Sequence, residues 1–363
     1  MIEQITGAGG KSGADGAQAP IRVGIVGATG YGGLELVRLL SGHPHVTLTY
    51  LAASREGGDP VASYFPHLKD ITDLTLDQFR PEACAEHCDV VFVALPSGVS
   101  GQIAAALWQT GLRVIDLSGD LRIPADLYRT WYRKDPVQPA AQSAAVYGLP
   151  EWRAAAIRDA SLIANPGCYA TAILLGLLPL ASAGWLDATR PILIDAKSGV
   201  SGAGRTPTQT THLGELYENF FPYKVGGHQH TPEVEQELGL HQRVQVLMTT
   251  QLLPVARGIY TVSYVTLREP ADVERVFELY RNSYEGAPFV RLAPPGQVPQ
   301  MKHVRGSNFC DIGLFVDPRT GVLQVFSAID NLTKGAAGQA IQNFNLMHGL
   351  PETAGLALGP VFP

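Results

Sequence analysis

Charged residues are scarce in this chain of 363 residues, and neither sign dominates. Lys and Arg together number 27 and Asp and Glu 33, for a formal net charge of −6, and charged residues make up 17%. A nucleic-acid-binding surface needs a clustered basic face, so the composition argues against nucleic acid as a partner. A few local Arg or Lys residues would still suffice to hold a small anionic substrate.

Long apolar runs and cysteines are also few. The longest apolar run, 172–180, contains Pro179 and is too short to cross a bilayer, and nothing resembles a signal peptide. Four cysteines in a chain of this size do not make a disulfide framework. We therefore expect a cytoplasmic protein with no membrane partner.

The chain is rich in apolar residues, at 45%, and its length suits two domains. Residues 1–19 are dominated by Gly, Ala and Ser without apolar periodicity, which predicts a flexible leader. Strand and helix patterns alternate over 20–165, as in a parallel, doubly wound sheet. Longer strand patterns over 166–330 predict an α+β domain with a mixed sheet. We expect the segment 331–363 to return to the first domain.

The first strand–helix unit carries a glycine-rich turn. A buried strand pattern at 21–26 runs into GATGYGG at 27–33, and an amphipathic helix that ends near Gly42 follows. Glycine at these positions permits a tight turn and lets backbone N–H groups approach a pyrophosphate at a helix N-terminus. The turn therefore predicts a dinucleotide site, and its expected cofactor-binding residues are Gly27, Thr29, Gly30, Tyr31, Gly32 and Gly33.

A second strand pattern covers 46–53, and the residues at its end favour NADP over NAD. NAD sites usually place an Asp or Glu here to bind the ribose hydroxyls, whereas this chain has Ala52-Ala53-Ser54-Arg55. Ser54 can donate a hydrogen bond to a 2′-phosphate, and Arg55 can pair with it. The adjacent Glu56 leaves NAD open, and a solvated surface charge is the alternative for Arg55.

Cys168 is the candidate nucleophile, since it stands between the turn Asn165-Pro166-Gly167 and an apolar helix. The dipole of a helix favours a thiolate at its N-terminus, so we expect a lowered pKa. The alternative is an inert core cysteine, which is the expectation for Cys310 in a predicted strand. Cys84 and Cys88 lack a second pair of metal ligands at matching spacing, and we predict no metal site.

Two histidines, His228 and His230, stand at a predicted helix start. The residues 231–233 supply an N-cap, a first-turn proline and an acidic residue. The positive end of the helix disfavours an imidazolium, so a neutral histidine here can act as a base at neutral pH. A metal site with Glu233 and Glu235 is the alternative, although a helix start already explains these carboxylates.

Several motifs in the same order resemble the N-acetyl-γ-glutamyl-phosphate reductase family, from about Ile21 to the C-terminus. They are the glycine-rich turn, LPSG at 95–98, NPGCY at 165–169, SGVSGAGR at 198–205, GHQHTPE at 227–233, RGI at 257–259, GSN at 306–308 and DNLTKG at 330–335. The resemblance implies an α/β protein: a Rossmann-type NADP-binding domain plus an α+β catalytic and dimerisation domain. It also implies a homodimer or homotetramer.

The resemblance further assigns roles to residues. It implies Cys168 as nucleophile and His228 as acid/base. The cofactor residues that it adds are Ser97, Gly98, Ser198, Gly199 and Asn331. Candidates for binding the substrate are Arg205, Arg257, Tyr223 and Lys197, and each of the three cations is alternatively a structural ion pair. The family's His-Arg-His is His228-Gln229-His230 here, which puts any role of that Arg in doubt.

The implied reaction is NADPH-dependent reduction of N-acetyl-L-glutamyl 5-phosphate, an acyl phosphate of arginine biosynthesis, through a thioester on Cys168. The nearest alternative is a reductase of a carrier-protein-linked 2-aminoadipyl or glutamyl phosphate. That group resembles this chain but has Asn after the cysteine, so Tyr169 favours the free substrate. Aspartate-semialdehyde dehydrogenase shares the chemistry with different motifs, and a non-catalytic NADP-binding protein is the alternative from another class.

Overall fold

Two seven-stranded sheets are formed by the residues that the computed structural model describes, which are 19–53 and 57–362. The predicted leader lies outside these ranges except for its last residue. The predicted NADP contacts Ser54 and Arg55 also lie outside them.

The first sheet is parallel at every described strand pair. Its strands are β1 (Ile21–Val26), β2 (Val46–Ala53), β3 (Leu76–Gln78), β4 (Val90–Val93), β5 (Arg113–Asp116), β6 (Val146–Tyr147) and β7 (Leu162–Ala164). They lie in the order β3-β2-β1-β4-β5-β7-β6. This order places the change of winding direction between β1 and β4, where a doubly wound sheet opens a crevice for ligands. The predicted dinucleotide-binding fold is confirmed.

Helices cover both faces of this sheet, which explains why β4 is buried at all four residues. The helices are α1 (Tyr31–Leu40), α2 (Val61–Tyr64), α3 (Pro81–His87), α4 (Ser100–Gln109), α5 (Ala125–Tyr132), α6 (Pro139–Ala144) and α7 (Pro150–Arg158).

The second sheet is mixed, as predicted. Its strands are β8 (Ile192–Gly199), β9 (Phe221–Tyr223), β10 (Val246–Leu253), β11 (Ile259–Val265), β12 (Val290–Leu292), β13 (Cys310–Val316) and β14 (Leu323–Ile329). They lie in the order β12-β13-β14-β11-β8-β10-β9. Strand β8 pairs in parallel with β10 and β12 with β13, and the other pairs are antiparallel.

One helix of the second part of the chain is buried on all sides. The helices here are α8 (Cys168–Ser182), α9 (Leu213–Leu216), α10 (His230–Gly239), α11 (Val273–Ser283) and α12 (Gly338–Met347). In α8 every residue from 169 to 181 is buried, because the helix is apolar around its whole circumference and lies within the core of the second sheet. Any shift of α8 would disturb that core, so its first residue, Cys168, is held at a fixed position.

The C-terminal helix α12 packs against the first sheet. Ile341 and Phe344 belong to the core formed with β1 and β4, and the ring of Phe344 lies 6.0 Å from that of Phe92. His43 stands beside Pro44, which predicts a surface position. It is instead buried by this helix, and its Nε2 atom lies 2.9 Å from Oδ1 of Asn345. This packing supports the predicted return of 331–363 to the first domain, and the exact domain limits stay a prediction.

Glu35 of α1 joins the dinucleotide part of the chain to the second sheet. Its carboxylate accepts hydrogen bonds from Arg38 (2.7 Å), Arg257 (2.8 Å) and the Thr333 hydroxyl (3.0 Å). Arg257 also donates to both carboxylate oxygens of Asp330, at 2.9 Å each. Burial opposes the ionisation of Glu35, but the two guanidinium groups outweigh it and lower its pKa to about 2.

Replacing Glu35→Gln should lower the free energy of unfolding by about 3 kcal/mol at pH 7, because Arg257 loses a buried carboxylate partner. The folded-state pKa is depressed, so this stabilisation is complete above pH 4.5, the ordinary value for Glu, and is lost as the pH falls towards 2. Urea unfolding of the wild type and of Glu35→Gln, at pH 7 and at pH 3, measures this difference in the free energy of unfolding.

The exposed pair of Arg22 and Asp89 offers the matched control, since Asp89→Asn removes a carboxylate that is largely in water. A Glu35→Gln effect no larger than that of Asp89→Asn, or one of equal size at both pH values, would contradict the prediction.

Candidate active site

The glycine-rich turn between β1 and α1 can accept only glycine at two of its positions. Gly27 has φ +92°, and a Cβ there would lie 2.5 Å from the carbonyl oxygen of Ala94. A Cβ on Gly33 would lie 2.2 Å from the carbonyl oxygen of Gly27. Among the described residues no side chain caps α1, and its first turn has no acidic residue. The first N–H groups of α1 therefore suit an anionic pyrophosphate.

Ser97 and Gly98 lie at the carboxyl end of β4, beside a loop that follows β5. Both carboxylate oxygens of Asp120 accept the N–H of Gly98, at 2.8 and 2.9 Å, and one also accepts the N–H of Gly101 at 2.9 Å. The Lys134 ammonium donates to the carbonyl of Ser97. These contacts fix the loop at the edge of the sheet where a dinucleotide binds.

A crevice of about 340 Å³ runs from this edge towards the second sheet. Its walls include Ser97 and Gly119 on one side and Lys224 and His230 on the other. A neighbouring cavity of about 360 Å³ is lined by Cys168, His228 and His230, and it shares Lys224 and His230 with the crevice. The structure thus brings the candidate nucleophile and both histidines to the end of the crevice that begins at the dinucleotide domain.

Cys168 is the first residue of α8 and is half-buried. Burial raises the pKa of its thiol to about 11, although Arg122 and the backbone N–H of Tyr169 act in the opposite direction. The expectation of a lowered pKa is therefore wrong for this structure, because burial outweighs the guanidinium and the backbone N–H. Cys310 is fully buried, as predicted.

Both histidines are neutral, and burial is the main cause. Burial, then the neighbouring His230 and Lys224, lower the pKa of His228 to about 2. The Nδ1 atom of His228 accepts the backbone N–H of His230 at 3.2 Å, which assigns the ring proton to Nε2. The helix α10 begins at His230, slightly before the predicted start. His228 is thus a neutral ring with a proton to donate.

Two tyrosines form part of the cavity wall beside His228. The hydroxyl of Tyr223 donates to that of Tyr169 at 3.1 Å, and Tyr169 donates to the carbonyl of Gln251 at 3.4 Å. The rings of Tyr169 and Tyr223 lie edge-on to the His228 ring, at centroid distances of 5.2 and 5.8 Å. The predicted substrate residue Tyr223 therefore lines the same cavity as Cys168.

Glu233 and Arg122 position the turn before Cys168, and neither is among the catalytic, substrate-binding or cofactor-binding residues predicted from the sequence. The buried Glu233 carboxylate accepts the N–H of Gly167 at 2.8 Å and the Tyr147 hydroxyl at 2.7 Å. Arg122 donates to the Asn165 carbonyl at 2.7 Å. Although burial opposes its charge, Glu233 raises the pKa of Arg122 above its ordinary value. The sequence offered Glu233 as a helix-start residue or as a metal ligand, and Arg122 belongs to no motif that we identified.

A π-helical turn, Thr333–Ala337, packs on the other side of Cys168. A Cβ on Gly335 would lie 2.8 Å from the Cβ of Cys168, and the Asn165 side chain donates to the Ala336 carbonyl at 3.2 Å. The turn is held by Lys334, which is fully buried and donates to Glu151 at 2.6 Å. The DNLTKG motif therefore reaches the nucleophile, which its sequence does not reveal.

The three predicted substrate cations lie elsewhere. Arg205 donates to the Thr29 carbonyl at 3.1 Å, in the glycine-rich turn. Lys197 pairs with Asp195 on β8, and Arg257 has the two carboxylate partners described above. Among the described residues that line the Cys168 cavity, none is one of these three. Arg257 and Lys197 are arranged as structural ion pairs, the alternative that the sequence left open.

The remaining predicted cofactor residues surround the end of β8. Ser198 lines the Cys168 cavity, and a Cβ on Gly199 would lie 2.9 Å from the backbone of Ala256. The Asn331 side chain accepts the N–H of Gly258 at 2.7 Å and donates to the Ser201 hydroxyl at 2.9 Å. Asn331 therefore braces two neighbouring turns, and its contact with a cofactor stays a prediction.

The described part of the chain contains neither a candidate metal site nor a candidate membrane span. Within 19–53 and 57–362, no group of three or more His, Cys, Asp and Glu side chains is arranged to hold a metal ion. No helix in these ranges combines the length and the apolar character needed to span a bilayer.

Family comparisons agree with this geometry. Residues 22–160 match the family described as semialdehyde dehydrogenase, NAD binding domain, and residues 168–331 match semialdehyde dehydrogenase, dimerisation domain. Among solved structures, aspartate semialdehyde dehydrogenase II complexed with ASA from Vibrio cholerae has a TM-score of 0.71 at 20% identity, covering 92% of this chain and 99% of that one. Aspartate semialdehyde dehydrogenase with NADP from Candida albicans has a TM-score of 0.66 at 19% identity, covering 91% and 99%. At these identities the likeness shows the fold.

The fold and the paired domains thus define a semialdehyde dehydrogenase. Curated relatives named N-acetyl-gamma-glutamyl-phosphate reductase are 45% identical in Bacillus cereus (strain AH187), 48% in Brevibacillus brevis and 49% in Halalkalibacterium halodurans. Each alignment covers 94% of this chain and 100% of the relative. The chain belongs to the N-acetyl-gamma-glutamyl-phosphate reductase family, which confirms the resemblance found in its motifs.

Replacing Gly335→Ala should displace Cys168, because the new methyl group would overlap its Cβ. Gly335 does not have a positive φ, so alanine is compatible with the backbone conformation, and the shortest contact of the new Cβ is with the Cβ of Cys168. A displaced nucleophile should lower kcat on the order of 10²-fold. Alkylation of Cys168 by iodoacetamide, followed by mass spectrometry, measures the thiol directly.

Gly176→Ala is the matched control, because Gly176 lies in α8, the helix that begins at Cys168, and a Cβ there would meet the Ser327 hydroxyl at 2.7 Å, away from the cavity. Both variants should lose stability through overpacking, and only Gly335→Ala should change the alkylation rate. Equal alkylation rates in the two variants would refute the positioning role.

Proposed function

We propose that this protein reduces N-acetyl-L-glutamyl 5-phosphate to N-acetyl-L-glutamate 5-semialdehyde and phosphate with NADPH, in arginine biosynthesis. The observation that carries the proposal is the cavity shared by Cys168 and His228, reached by a crevice from the glycine-rich turn. The names of the relatives support this substrate. A cytoplasmic location stays a prediction.

The proposed cofactor is NADP, and the first domain supports a dinucleotide of either kind. Preference for the 2′-phosphate rests on Ser54 and Arg55. The uncapped start of α1 would hold the pyrophosphate, and the loop at Ser97 and Gly98 would border the nicotinamide half. When bound, the cofactor supplies hydride.

The chemistry begins with the neutral thiol of Cys168. Attack by its sulfur on the acyl carbon forms a C–S bond and breaks the bond to phosphate, which leaves with the bonding electrons and the thiol proton. Hydride addition to the thioester carbonyl carbon then places negative charge on its oxygen. The Nε2–H of the neutral His228 donates a hydrogen bond to that oxygen and stabilises its charge, and the oxygen takes up a proton from solvent. Cleavage of the C–S bond returns the hydroxyl proton to sulfur and releases the aldehyde.

The residues around Cys168 make these reaction steps possible because they fix the position of its sulfur. Arg122 and Glu233 hold the turn before Cys168 from one side, and Gly335 contacts it from the other. Arg122 also lies close enough to lower the pKa of the Cys168 thiol, which favours thiolate as the C–S bond forms. These groups position the nucleophile and need not touch the substrate.

Cys168→Ser should abolish turnover while leaving cofactor binding intact, because an oxygen ester accepts hydride less readily than a thioester. The assay is phosphate-dependent reduction of NADP⁺ with N-acetylglutamate semialdehyde, and binding of NADPH is followed by fluorescence. Cys310→Ser, at a buried cysteine outside the cavity, serves as the control. Full activity of Cys168→Ser would refute the mechanism. A wild-type preference for aspartate semialdehyde would refute the proposed substrate.

We also propose that the protein forms a homodimer through the open face of the second sheet, with a homotetramer as the other outcome. Leu193 of β8 is paired with Leu247 of β10 and Tyr264 of β11, and all three side chains are exposed. Phe315 of β13 is exposed as well. Contiguous apolar surface of this kind is typical of an interface between subunits, and residues 168–331 match a dimerisation domain.

Leu247→Glu should therefore convert the protein to monomers at micromolar concentration, because it places a charge within the apolar interface. Light scattering after size exclusion measures the mass. Leu240→Glu, at an exposed leucine just after α10, is the control that should leave the mass unchanged. A Leu247→Glu variant with the wild-type mass would refute this choice of interface.

A further inference from the structure

The proposed substrate carries two anionic groups, an acyl phosphate and a carboxylate, so its cavity requires a positive charge. The sequence offered Arg205, Arg257 and Lys197, but none of them is among the described residues that line the Cys168 cavity. Arg122 lines the adjoining crevice, where its charge is balanced by Glu233. The cation for the substrate has to come from another residue.

Lys224 occupies the place where such a charge is needed. It follows β9 and lines both the Cys168 cavity and the crevice that leads to the dinucleotide domain. Among the described lining residues of the cavity it is the one lysine or arginine, and His228 and His230 are neutral because burial lowers their pKa values. The positive charge of this cavity is therefore carried by the Lys224 ammonium.

The charge of Lys224 is not balanced within the protein. Its Nζ donates to the side-chain carbonyl of Gln229 at 2.6 Å, which is a neutral partner. Within the described part of the chain no carboxylate lies at ion-pair distance from it, in contrast to Lys197 and Lys334. The residue is exposed as a whole, yet enclosure of the ammonium lowers its pKa, so an anion placed beside it would be stabilising.

The backbone at Lys224 is also unusual. Its φ is +49°, a left-handed conformation that is uncommon for a residue with a side chain. Such conformations cost free energy and persist where the surrounding structure holds them, often at ligand sites. Here the conformation directs the chain from the edge strand β9 to the histidine turn, with the ammonium beside Gln229.

We propose that the Lys224 ammonium binds an anionic oxygen of the substrate, from either its phosphate or its carboxylate, at the junction of the cavity and the crevice. This rests on the proposed function. Gln229 holds the ammonium in place with a neutral oxygen, so that its charge remains available. Lys224 would thus determine specificity for an anionic acyl phosphate.

The reverse reaction separates the two sources of negative charge, because inorganic phosphate and the semialdehyde are then different substrates. We would measure KM for phosphate, for N-acetylglutamate semialdehyde and for NADP⁺ in wild type and in Lys224→Met, Lys224→Arg and Gln229→Glu. Lys302→Met, at a surface lysine over the ring of Phe362, is the control. Circular dichroism and thermal unfolding establish that each variant is folded.

Lys224→Met should raise one KM by about 10- to 100-fold, as expected for the loss of one charge-assisted hydrogen bond. A rise for phosphate identifies the phosphate as the bound group, and a rise for the semialdehyde identifies the carboxylate. Lys224→Arg should restore most of the affinity. Gln229→Glu should raise the same KM, because its carboxylate would neutralise the ammonium.

Unchanged KM values for phosphate and semialdehyde in Lys224→Met would overturn the proposal, and so would a rise confined to NADP⁺. Should Lys224→Met not fold, Gln229→Glu decides by the same criteria. A wild-type protein that does not reduce NADP⁺ with this semialdehyde and phosphate would refute the proposed function instead, so the two failures are distinguishable.

Discussion

The buried carboxylate of Glu233 is the interaction on which the arrangement of the active site depends. It lies in the first turn of α10, which begins at His230, and accepts the N–H of Gly167, so this helix is joined to the turn before Cys168. It also accepts the hydroxyl of Tyr147 from the dinucleotide domain. A buried carboxylate is tolerated only when its oxygens accept hydrogen bonds. Here each donor is a polar group whose burial without a partner would itself cost free energy. The nucleophile turn, the histidine helix and the first sheet are therefore held in one relative position.

Burial also holds the active site rigid, and it determines the protonation states of Cys168 and the histidines. Helix α8 is enclosed by the second core, and the turn around Gly335 closes over its first residue. The same enclosure removes water from the thiol and the imidazoles, which raises the pKa of Cys168 and lowers that of His228. The thiol and the imidazoles are therefore neutral in the free protein, and the charge of the cavity is that of Lys224. That is a resting state in which the thiol is protected from adventitious oxidation and alkylation.

The sequence predicts well what depends on local patterns. The strands β1 and β2 have the predicted limits, 21–26 and 46–53, since strand periodicity and turn glycines are local signals. Cys168 and His228 were found through their turns, and both line one cavity. Side chains whose surroundings come from distant segments were not predictable in this way. The pairing of Arg257 with Glu35, 222 residues away, and the burial of His43 by α12 are fixed by tertiary packing alone. Lys224 was not predicted, because the residues near it in the sequence do not show that its charge lacks a carboxylate partner in the fold.

The contribution of α12 to the core of the first sheet also constrains how the protein is made. Phe344 packs against Phe92 of β4, so this core is assembled from segments about 250 residues apart. During synthesis the N-terminal sheet emerges first together with α1 and α7, but the part of its face that α12 covers stays open until α12 has left the ribosome. The first domain therefore cannot finish folding before the second domain has been synthesised. The nascent chain exposes this apolar patch until α12 arrives, and a truncation that removes only α12 would leave the patch around Phe92 open to aggregation.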